Sequence, residues 1–453
     1  MTGRGEGAFA LVLHTHMPYV EGYGTWPFGE EWLWEAIATC YLPLLEILDA
    51  GTPVTLSVTP VLLDQLEAPG LDARLTQFID EIRAETHRRD RAGLLAAGEQ
   101  GLADEIARSG DEYRQAREAL ARRGGLAGAF APHAAWTSSA THAVLPLVAC
   151  DVLSALQIEA GVAARRERSG AWRGGFWLPE CAHAPWIEPL LAGAGVQATC
   201  VELTARFGLG AAEHLQPLRS VHGPLLVPID RATVDLVWGA AGYPADGAYR
   251  DYHRLTTHHH RPWDNAGRAY DRDRAAERVA EHAADFVERV QQRISGGGLL
   301  VCALDTELLG HWWFEGPAWL AAVLAECERR GVPLTALDDA LEGIDAPLTD
   351  TSGWAPSSWG AGGDLSTWST GPASAMARAI RRAELDYLAA GSPRGAARRE
   401  LLALQASDWC FVVARGTATP YGHERHDAHL AQLRRALAGE PVPGPRSLAL
   451  RAG

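Results

Sequence analysis

The sequence predicts an α/β fold: an incomplete βα-barrel with a helical insertion and a C-terminal helical domain. Short apolar runs alternate with amphipathic stretches over roughly 340 residues, which is the pattern of parallel strands joined by crossover helices. Two of these runs end on a carboxylate, Glu180 and Asp305, and His and Trp follow each of them closely in the chain. Since a βα-barrel carries its chemistry at the carboxyl ends of its strands, these two positions are the first candidates for an active site.

The strands and helices of the barrel can be placed in order. An apolar run at 8–13 ends on His14-Thr15-His16, a helical pattern covers 32–48, and a second run covers 54–58. This strand–helix–strand start predicts a parallel sheet. We predict the later strands at 128–131, 175–177, 198–201, 225–227, 234–237 and 299–303, with a helix over 274–293.

Two further regions depart from the strand–helix alternation. Residues 71–126 are charged, Ala-rich and helical, which predicts an insertion into a catalytic barrel that spans 1–345. Residues 345–364 are rich in Pro, Gly, Ser and Trp and predict a loop. Beyond it, helical patterns at 374–389, 395–406 and 426–438 predict a C-terminal domain over 346–453 that contributes its Trp- and Gly-rich loop to the site, and the tail from Gly439 is predicted to be extended.

Composition excludes several classes of function. The net charge of −15 argues against nucleic acid as the main partner, because phosphate binding needs a basic face. No window approaches about 18 uninterrupted apolar residues, so no membrane span is expected. The seven cysteines form no C-x-x-C pair and the N-terminus lacks a signal-peptide pattern. These features predict a cytoplasmic protein with free thiols, either a monomer or a homodimer.

Tryptophan is unusually frequent. The chain has 16 Trp beside 9 Phe, and many of them stand next to Gly, His or acidic residues rather than among aliphatic ones. The apolar face of a pyranose stacks on an indole ring, so this distribution predicts a carbohydrate site. Paired carboxylates in such a site predict glycosidic bond chemistry, with one nucleophile and one general acid/base. Glu307 is a weaker candidate, because it should point away from Asp305 if the strand continues.

The histidines leave a second chemistry open. His14 and His16 alternate along one strand, as metal ligands often do, and with His183 and Asp305 they could form the site of a metal-dependent carbohydrate deacetylase. The alternative is that they hydrogen-bond sugar hydroxyls or the nucleophile. His258-His259-His260 is predicted to be a solvated turn.

Two loops are candidate parts of the site. The run Trp359-Gly360-Ala361-Gly362-Gly363-Asp364, with Trp368, is too rich in Gly for a core element, and it would let the backbone approach a ligand while the indoles stack on it. The segment around Gly242-Tyr243-Pro244 could be a mobile flap that carries Tyr243 over the site, or a static turn.

These motifs resemble glycoside hydrolase family 57, and most of all its α-1,4-glucan branching-enzyme branch. The blocks that carry the resemblance are His14-Thr15-His16-Met17-Pro18-Tyr19, Trp32-Leu33-Trp34-Glu35-Ala36, Trp177-Leu178-Pro179-Glu180-Cys181-Ala182, Leu304-Asp305-Thr306-Glu307-Leu308-Leu309-Gly310-His311-Trp312-Trp313, Ser358-Trp359-Gly360-Ala361-Gly362-Gly363-Asp364 and Ser407-Asp408-Trp409.

The resemblance implies a (β/α)7 barrel, TIM-like but incomplete, and a retaining mechanism without metal or organic cofactor. It implies Glu180 as nucleophile and Asp305 as general acid/base, acting on an α-glucan such as amylose, a glycogen-like polymer or a methylglucose polysaccharide. The residues expected to contact sugar are His14, His16, Trp26, His183, Tyr243, Trp263, His311, Trp312, Trp359, Asp364 and Trp368.

The chain departs from the family pattern in two places. Ala361 stands where the Gly-rich motif usually carries Glu, and the stretch between Glu180 and Asp305 is short for a branching enzyme. That stretch holds the loop that covers the acceptor site in the family, so water could compete as acceptor. Hydrolysis or 4-α-glucanotransfer therefore stays open beside branching, as does a glycan-binding protein that has lost catalysis.

Overall fold

The computed structural model describes residues 7–24 and 29–442, and its centre is a nine-stranded, mostly parallel sheet. The strands follow the spatial order β8-β1-β2-β3-β4-β5-β7-β6-β9. They are β1 (Ala8–Thr15), β2 (Thr55–Val58), β3 (Ala134–Ser138), β4 (Gly175–Trp177), β5 (Ala198–Val201), β6 (Leu218–Ser220), β7 (Leu225–Pro228), β8 (Leu299–Asp305) and β9 (Leu348–Thr349).

Seven strands form the parallel part of the sheet, from β8 through β1 to β5 and then β7. The short β6 pairs antiparallel with β7, and β9 pairs with β6. The two ends of the parallel part approach each other where the amide of Asp230, after β7, donates to the carbonyl of Val301 in β8 at 2.8 Å. The predicted incomplete, seven-stranded TIM-like barrel is confirmed.

Helices cover the outside of the sheet and form two additional layers. Those of the barrel are α1 (Glu30–Ala36), α2 (Leu42–Asp49), α3 (Pro60–Leu66), α8 (Asp151–Ser169), α9 (Glu188–Gly193), α10 (Thr204–Phe207), α11 (Arg231–Trp238), α12 (Arg272–Ile294), α13 (Gly316–Arg330) and α14 (Leu337–Leu341). Those of the insertion are α4 (Leu71–Gln77), α5 (Ala84–Ala96), α6 (Gln100–Arg123) and α7 (Leu126–Phe130). Those of the C-terminal region are α15 (Ser366–Ser369), α16 (Ser374–Ala389), α17 (Ala396–Leu404), α18 (Ser407–Arg415) and α19 (Thr419–Leu437).

Two predicted strands are wrong, because both segments are helical. Residues 128–131 overlap α7, which buries Leu126 and Phe130 one turn apart. Residues 234–237 lie in α11, where the side chain of Asp230 accepts a hydrogen bond from the Thr233 amide at 3.0 Å and caps the helix. A short apolar run is compatible with a strand or a helix, and at 234–237 the Asp230 N-cap favours the helix.

Alternation along the strands separates the barrel interior from the helical layer. Phe9, Leu11 and Leu13 belong to the core between sheet and helices, whereas Ala10 and Val12 belong to the core inside the barrel. The interior side chains of β8 are equally small, and they leave room for the two buried indoles of Trp136 and Trp177. By the same period of two, the next inward positions are His14 on β1 and Asp305 on β8.

The C-terminal helices dock on the barrel at a backbone bridge. Ala143, in the loop after β3, pairs with Ala406 just before α18, and the Ser407 amide donates to the carbonyl of His142 at 3.1 Å. This contact brings the start of α18 to the mouth of the barrel. Within the described part of the chain, no helix is long and apolar enough to cross a membrane.

Candidate active site

The register of the sheet places the candidate histidine of β1 beside the candidate carboxylate of β8. His14, near the end of β1, is paired with Ser57 on β2 and with Asp305 on β8. Its Nδ1 lies 3.2 Å from the Ser57 hydroxyl. Asp305 therefore reaches the mouth of the barrel beside His14, on the inward face of the last parallel strand.

Glu180 reaches the same mouth from β4 through an unusual backbone. It lies in a 3-10 turn, Pro179–Cys181, and both Glu180 and Cys181 have left-handed φ values, 64° and 48°. His142, in the loop after β3, has a φ of 62°. Such conformations cost non-glycine residues about 1–3 kcal/mol each and tend to accumulate at functional sites. These strained residues follow β3 and β4, where the chain directs the His142 imidazole and the Glu180 carboxylate toward each other at the mouth of the barrel.

Two donors orient the Glu180 carboxylate. The indole N–H of Trp359 donates to Oε2 at 2.9 Å, and the hydroxyl of Ser407 donates to Oε1 at 3.2 Å. A backbone bond from the Trp359 amide to the Glu180 carbonyl, 3.0 Å long, fixes the same loop to the same turn. Burial raises the pKa of Glu180 to about 7, although the hydrogen bonds from Trp359 and Ser407 oppose that rise.

Asp305 has a different environment. Burial, followed by the negative charges of Glu180 and Glu307, raises the pKa of Asp305 well above its ordinary value. A carboxyl group in such surroundings keeps its proton at pH values where an exposed aspartate has lost it, so Asp305 is suited to donate one.

Glu307 binds groups at the end of β1 and in the helix that follows it, and its charge acts on Asp305. The strand ends at Asp305, and Glu307 falls in a 3-10 turn, Thr306–Leu308. Its Oε1 accepts from the Tyr41 hydroxyl at 2.7 Å and from the His16 amide at 3.1 Å. Burial raises the pKa of Glu307 to about 7. The strand does not continue past Asp305, so the alternation on which the expectation for Glu307 depended does not apply to it.

Three imidazoles stack beside the carboxylates and divide into two kinds. Burial lowers the pKa of His14 and of His142, whose Nε2 atoms lie 2.9 Å apart. Burial is the largest single influence on the pKa of His16 and acts in the same direction, but the carboxylates of Asp408, Glu307 and Glu180 together outweigh it and leave that pKa raised. His16 Nε2 lies 3.1 Å from both Asp408 oxygens. His16 is therefore the imidazole of this cluster suited to carry positive charge.

The sequence suggested a metal site formed by His14, His16, His183 and Asp305, but the possible metal ligands that the structure brings together are a different set that shares only His16 with it. Ligand atoms of His16, His142 and Asp408 all lie within 4.8 Å of one another. The rings of His16 and His142, however, are stacked, with centroids 4.0 Å apart and planes 14° from parallel. An imidazole binds a metal through a lone pair in its ring plane, so two nearly parallel rings face to face aim past a common ion. The donor set does not fit a metal-dependent deacetylase.

A small opening connects these groups to solvent. The side chains of His16, Glu180 and Asp408 are 11, 14 and 15% exposed, whereas the ring of Trp177 below them is fully buried and stacks on His14. Trp359 is half-buried, with its ring 5.2 Å from Trp177. A ligand at the mouth would therefore meet Trp359 and the polar groups, with Trp177 as the floor.

Three of the other predicted residues lie inside the structure rather than at the mouth. His183 is fully buried with its Nε2 2.7 Å from Glu188, and Trp368 is 2% exposed beneath Gly360. Tyr243 donates to Asp285 on α12 at 2.6 Å and stacks on His282. In this structure its contacts are therefore with α12 rather than with the cluster at the mouth.

The remaining predicted residues are more open but also lie outside the cluster. Asp364 is exposed and accepts from the Ser366 amide at 2.8 Å, and Trp263 carries the guanidinium of Arg254 on its face. His311 and Trp312 line a separate cavity. Trp26 lies outside the described residues.

Sequence reasoning missed three groups that touch the centre: His142, Ser407 and Asp408. Their contacts with His14, Glu180 and His16 span 128, 227 and 392 positions of the chain. The Ser407-Asp408-Trp409 block resembles the family, and that was the one available signal for two of them. No local pattern marks His142.

Comparison with known proteins places the chain among relatives over nearly its whole length. The model of glycosyl hydrolase family 57 matches residues 135–347, and one described as the C-terminal part of 1,4-α-glucan branching enzyme matches residues 374–439. A 1,4-α-glucan branching enzyme of Thermococcus kodakarensis is 31% identical, over 96% of this chain and 74% of that protein. The chain belongs to glycosyl hydrolase family 57.

Two further relatives extend the comparison. A probable 1,4-α-glucan branching enzyme of Mycobacterium tuberculosis is 33% identical, over 98% of this chain and 94% of the relative. The crystal structure of a family 57 branching enzyme from Pyrococcus horikoshii superposes with a TM-score of 0.86 and 29% identity, over 96% of this chain and 92% of that one. The family predicted from the motifs is confirmed.

Proposed function

We propose that the protein is a retaining 1,4-α-glucan branching enzyme, which cleaves an α-1,4 linkage and transfers the released chain to a glucan 6-hydroxyl. The observation that carries this proposal is that the C-terminal helical region completes the site. Ser407 donates to Glu180 and Asp408 contacts His16, and both lie in the segment that matches the branching-enzyme C-terminal model.

In the first step, the carboxylate of Glu180 attacks the anomeric carbon and forms the glycosyl ester. The bond from that carbon to the glycosidic oxygen breaks, and the oxygen takes the proton of Asp305. Trp359 and Ser407 hold the attacking group in place. Asp305 keeps a proton to give because burial and two neighbouring carboxylates raise its pKa.

In the second step, Asp305, now ionised, accepts the proton of a glucan 6-hydroxyl. The new oxygen–carbon bond forms as the ester bond to Glu180 breaks, so both carboxyl groups return to their starting states. Positive charge on His16 near Glu180 offsets the negative charge of the cluster, while His14 and His142 remain neutral. The anomeric configuration is retained because it is inverted twice.

Hydrolysis is the second candidate, and one observation favours it. The segment between β7 and α12 contains the predicted flap, and the hydroxyl of Tyr243 in that flap is hydrogen-bonded to Asp285. In this structure Tyr243 is bound to α12, and among the described residues no hydrogen bond joins it to Glu180 or Asp305. Water could then replace the 6-hydroxyl in the second step.

Incubation of the purified protein with amylose separates these activities. The products are debranched with isoamylase and their chain lengths profiled, while reducing ends are counted before debranching. Branching predicts new short chains released by isoamylase with few new reducing ends. Hydrolysis predicts the reverse, and 4-α-glucanotransfer predicts changed chain lengths without isoamylase-sensitive linkages. Glu180→Gln is the control, and any product it forms at the wild-type rate would contradict the assignment of the nucleophile.

A chelator tests the deacetylase alternative in the same assay. Because the stacked imidazoles do not converge on an ion, EDTA followed by gel filtration is expected to leave the rate on amylose unchanged. Loss of the rate, and its return with zinc, would contradict the metal-free mechanism.

Three further proposals accompany the activity. The substrate is an α-glucan, and the barrel and the C-terminal domain divide near residue 345, although β9 lies just beyond that point and extends the sheet. A cytoplasmic location is supported by the seven free cysteines, six of which are buried.

A further inference from the structure

A second cavity lies beside the catalytic centre, on the far side of the segment that follows β8. Its volume is about 580 Å³, within the range of small-molecule sites. It is enclosed by α1 and α2, by α6 of the insertion, by residues 250–272, and by residues 310–318. Neither Glu180 nor Asp305 lines it.

Aromatic rings form one wall of this cavity. Trp312 is 42% exposed, an unusual state for an indole, and its ring centroid lies 4.7 Å from that of Tyr252 with the planes tilted by 40°. Phe314 also lines the cavity. An exposed indole beside a second ring offers the apolar surface on which a pyranose stacks.

Five of the ten charged side chains in the lining form ion pairs, with one another or with Glu105 behind the wall. Arg83 forms a buried ion pair with Glu35, Arg250 lies 2.5 Å from Glu105, and Arg272 contacts Glu105 and Glu112. The other five, Glu46, Glu118, Arg122, Arg261 and Glu315, carry both signs, so the lining has no predominant charge that would select a charged ligand over a neutral one.

Two polar side chains remain suited to a neutral ligand. Arg261 lines the cavity, its Nε donates to the Tyr252 carbonyl at 2.9 Å, and its guanidinium lies over the Tyr252 ring. A guanidinium has five N–H donors, more than these contacts with Tyr252 use. Burial lowers the pKa of His311 to about 4, so its ring is neutral at pH 7 and can both donate and accept. Such groups match sugar hydroxyls.

We propose that this cavity is a second glucan-binding site, in which Trp312 stacks on a glucosyl unit while Arg261 and His311 bind its hydroxyls. The inference rests on the proposed function, because it takes the ligand to be a segment of the same polymer. The backbone connects this cavity to the segment that carries Asp305, because the Trp312 amide donates to the carbonyl of Glu307, two residues after Asp305, at 3.1 Å. A chain held there is anchored near, but outside, the centre that cuts it.

Binding is measured first, without turnover, by calorimetric titration of maltoheptaose into Glu180→Gln. Two sites per protein are expected in Glu180→Gln, and one after Trp312→Ala is added. Trp186→Ala is the matched control, because Trp186 is 49% exposed and does not line the cavity. Trp312→Leu keeps an apolar contact with Tyr252 but removes the flat ring, so it serves if the alanine variant does not fold.

Turnover measured for wild-type, Trp312→Ala and Trp186→Ala protein tests the second site separately from the proposed function. We expect the KM for amylose to rise about three- to tenfold in Trp312→Ala, as for the loss of one stacking contact, with an unchanged rate on maltoheptaose at saturation. Equal binding and equal KM in the two Trp variants would overturn the second site while the proposed function stands. If wild-type protein does not act on amylose at all, the proposed function itself fails.

Discussion

The strand ends that carry Glu180 and Asp305 are alike in sequence but opposite in environment. Glu180 accepts hydrogen bonds from Trp359 and Ser407, which favour its ionised form. The Asp305 carboxylate receives no hydrogen bond from the residues that the structure describes, and Glu180 and Glu307 favour its protonated form. Donors beside one carboxyl and negative charges beside the other are what a nucleophile and an acid require.

Replacement of Asp305, the proposed acid, should lower the rate more than the other changes and should distinguish its role from that of Glu180 most clearly. Asp305→Ala is expected to lower the rate on amylose by about 10³-fold, since general acid–base catalysis contributes 10²–10⁴. Azide is expected to restore turnover of an activated α-glucosyl substrate in this variant, with an α-glucosyl azide as product.

The matched variant Glu180→Ala should respond to azide in the opposite sense. Azide would then replace the missing nucleophile and attack once, so the product is a β-glucosyl azide. The two anomers are distinguished by the proton coupling at the anomeric centre. The same anomer from both variants would mean that the roles of the two carboxyl groups are not divided as the environments indicate.

The next largest effect is expected from the indole that binds Glu180. Trp359→Phe keeps the ring but removes the N–H that donates to Oε2. A hydrogen bond to a charged group contributes about 1.5–3 kcal/mol, so kcat/KM should fall at least tenfold.

The pH profile of Trp359→Phe provides an independent check. Loss of a donor destabilises the carboxylate and raises the pKa of Glu180 further, so the acid limb should move to higher pH from its position near 7. Trp354→Phe, in the same loop but against Arg206 and His183, is the control. A fall in rate with an unmoved acid limb would indicate a loss of packing only.

A smaller loss is expected when the hydroxyl is removed. Ser407→Ala deletes a donor to the same carboxylate, but its distance to Oε1 is 3.2 Å rather than 2.9 Å, so we expect the lower end of the range for a bond to a charged group, about 1.5 kcal/mol, and a roughly tenfold fall in rate. Ser295→Ala removes a serine hydroxyl that bonds a helix carbonyl far from the site and should leave the rate unchanged. Equal rates in the two variants would mean that the C-terminal region takes no part in the reaction.

The smallest effect should be a shift of the basic limb. Glu307→Gln removes one of the two charges that raise the pKa of Asp305, so that pKa falls and the acid form is lost at lower pH. The pKa of Glu307 is itself raised to about 7, so its charge acts only above that pH and the acid limb should stay in place. The basic limb should move down by about half a unit to one unit, whereas Glu328→Gln, exposed on α13, should not move it.

The sequence was sufficient for the parts of this arrangement that are local in the chain. Glu180 and Asp305 are marked by the apolar runs before them, and the parity of β1 and β8 places His14 and Asp305 inside the barrel. The family motifs added the order of the blocks and the seven-stranded parallel sheet.

The remainder depends on tertiary contacts that no local pattern encodes. His142 is aimed by a left-handed loop, and Ser407 and Asp408 arrive by docking of α18 more than 200 residues from Glu180. The His-His-His segment, expected to be a solvated turn, instead packs on the insertion: His258 Nδ1 lies 2.6 Å from Asp90, and His260 is buried against His87. Packing partners decide whether such residues are exposed, and they are distant in sequence.

The most direct test of the central claim is to trap the covalent intermediate. The protein is treated with 5-fluoro-α-D-glucosyl fluoride, digested with trypsin and analysed by mass spectrometry. We predict one glucosyl adduct on the peptide 174–206, located by fragmentation on Glu180 rather than Glu188 or Glu202. An adduct on the peptide 294–329, which carries Asp305 and Glu307, or no adduct in protein that still turns over amylose, would contradict the account.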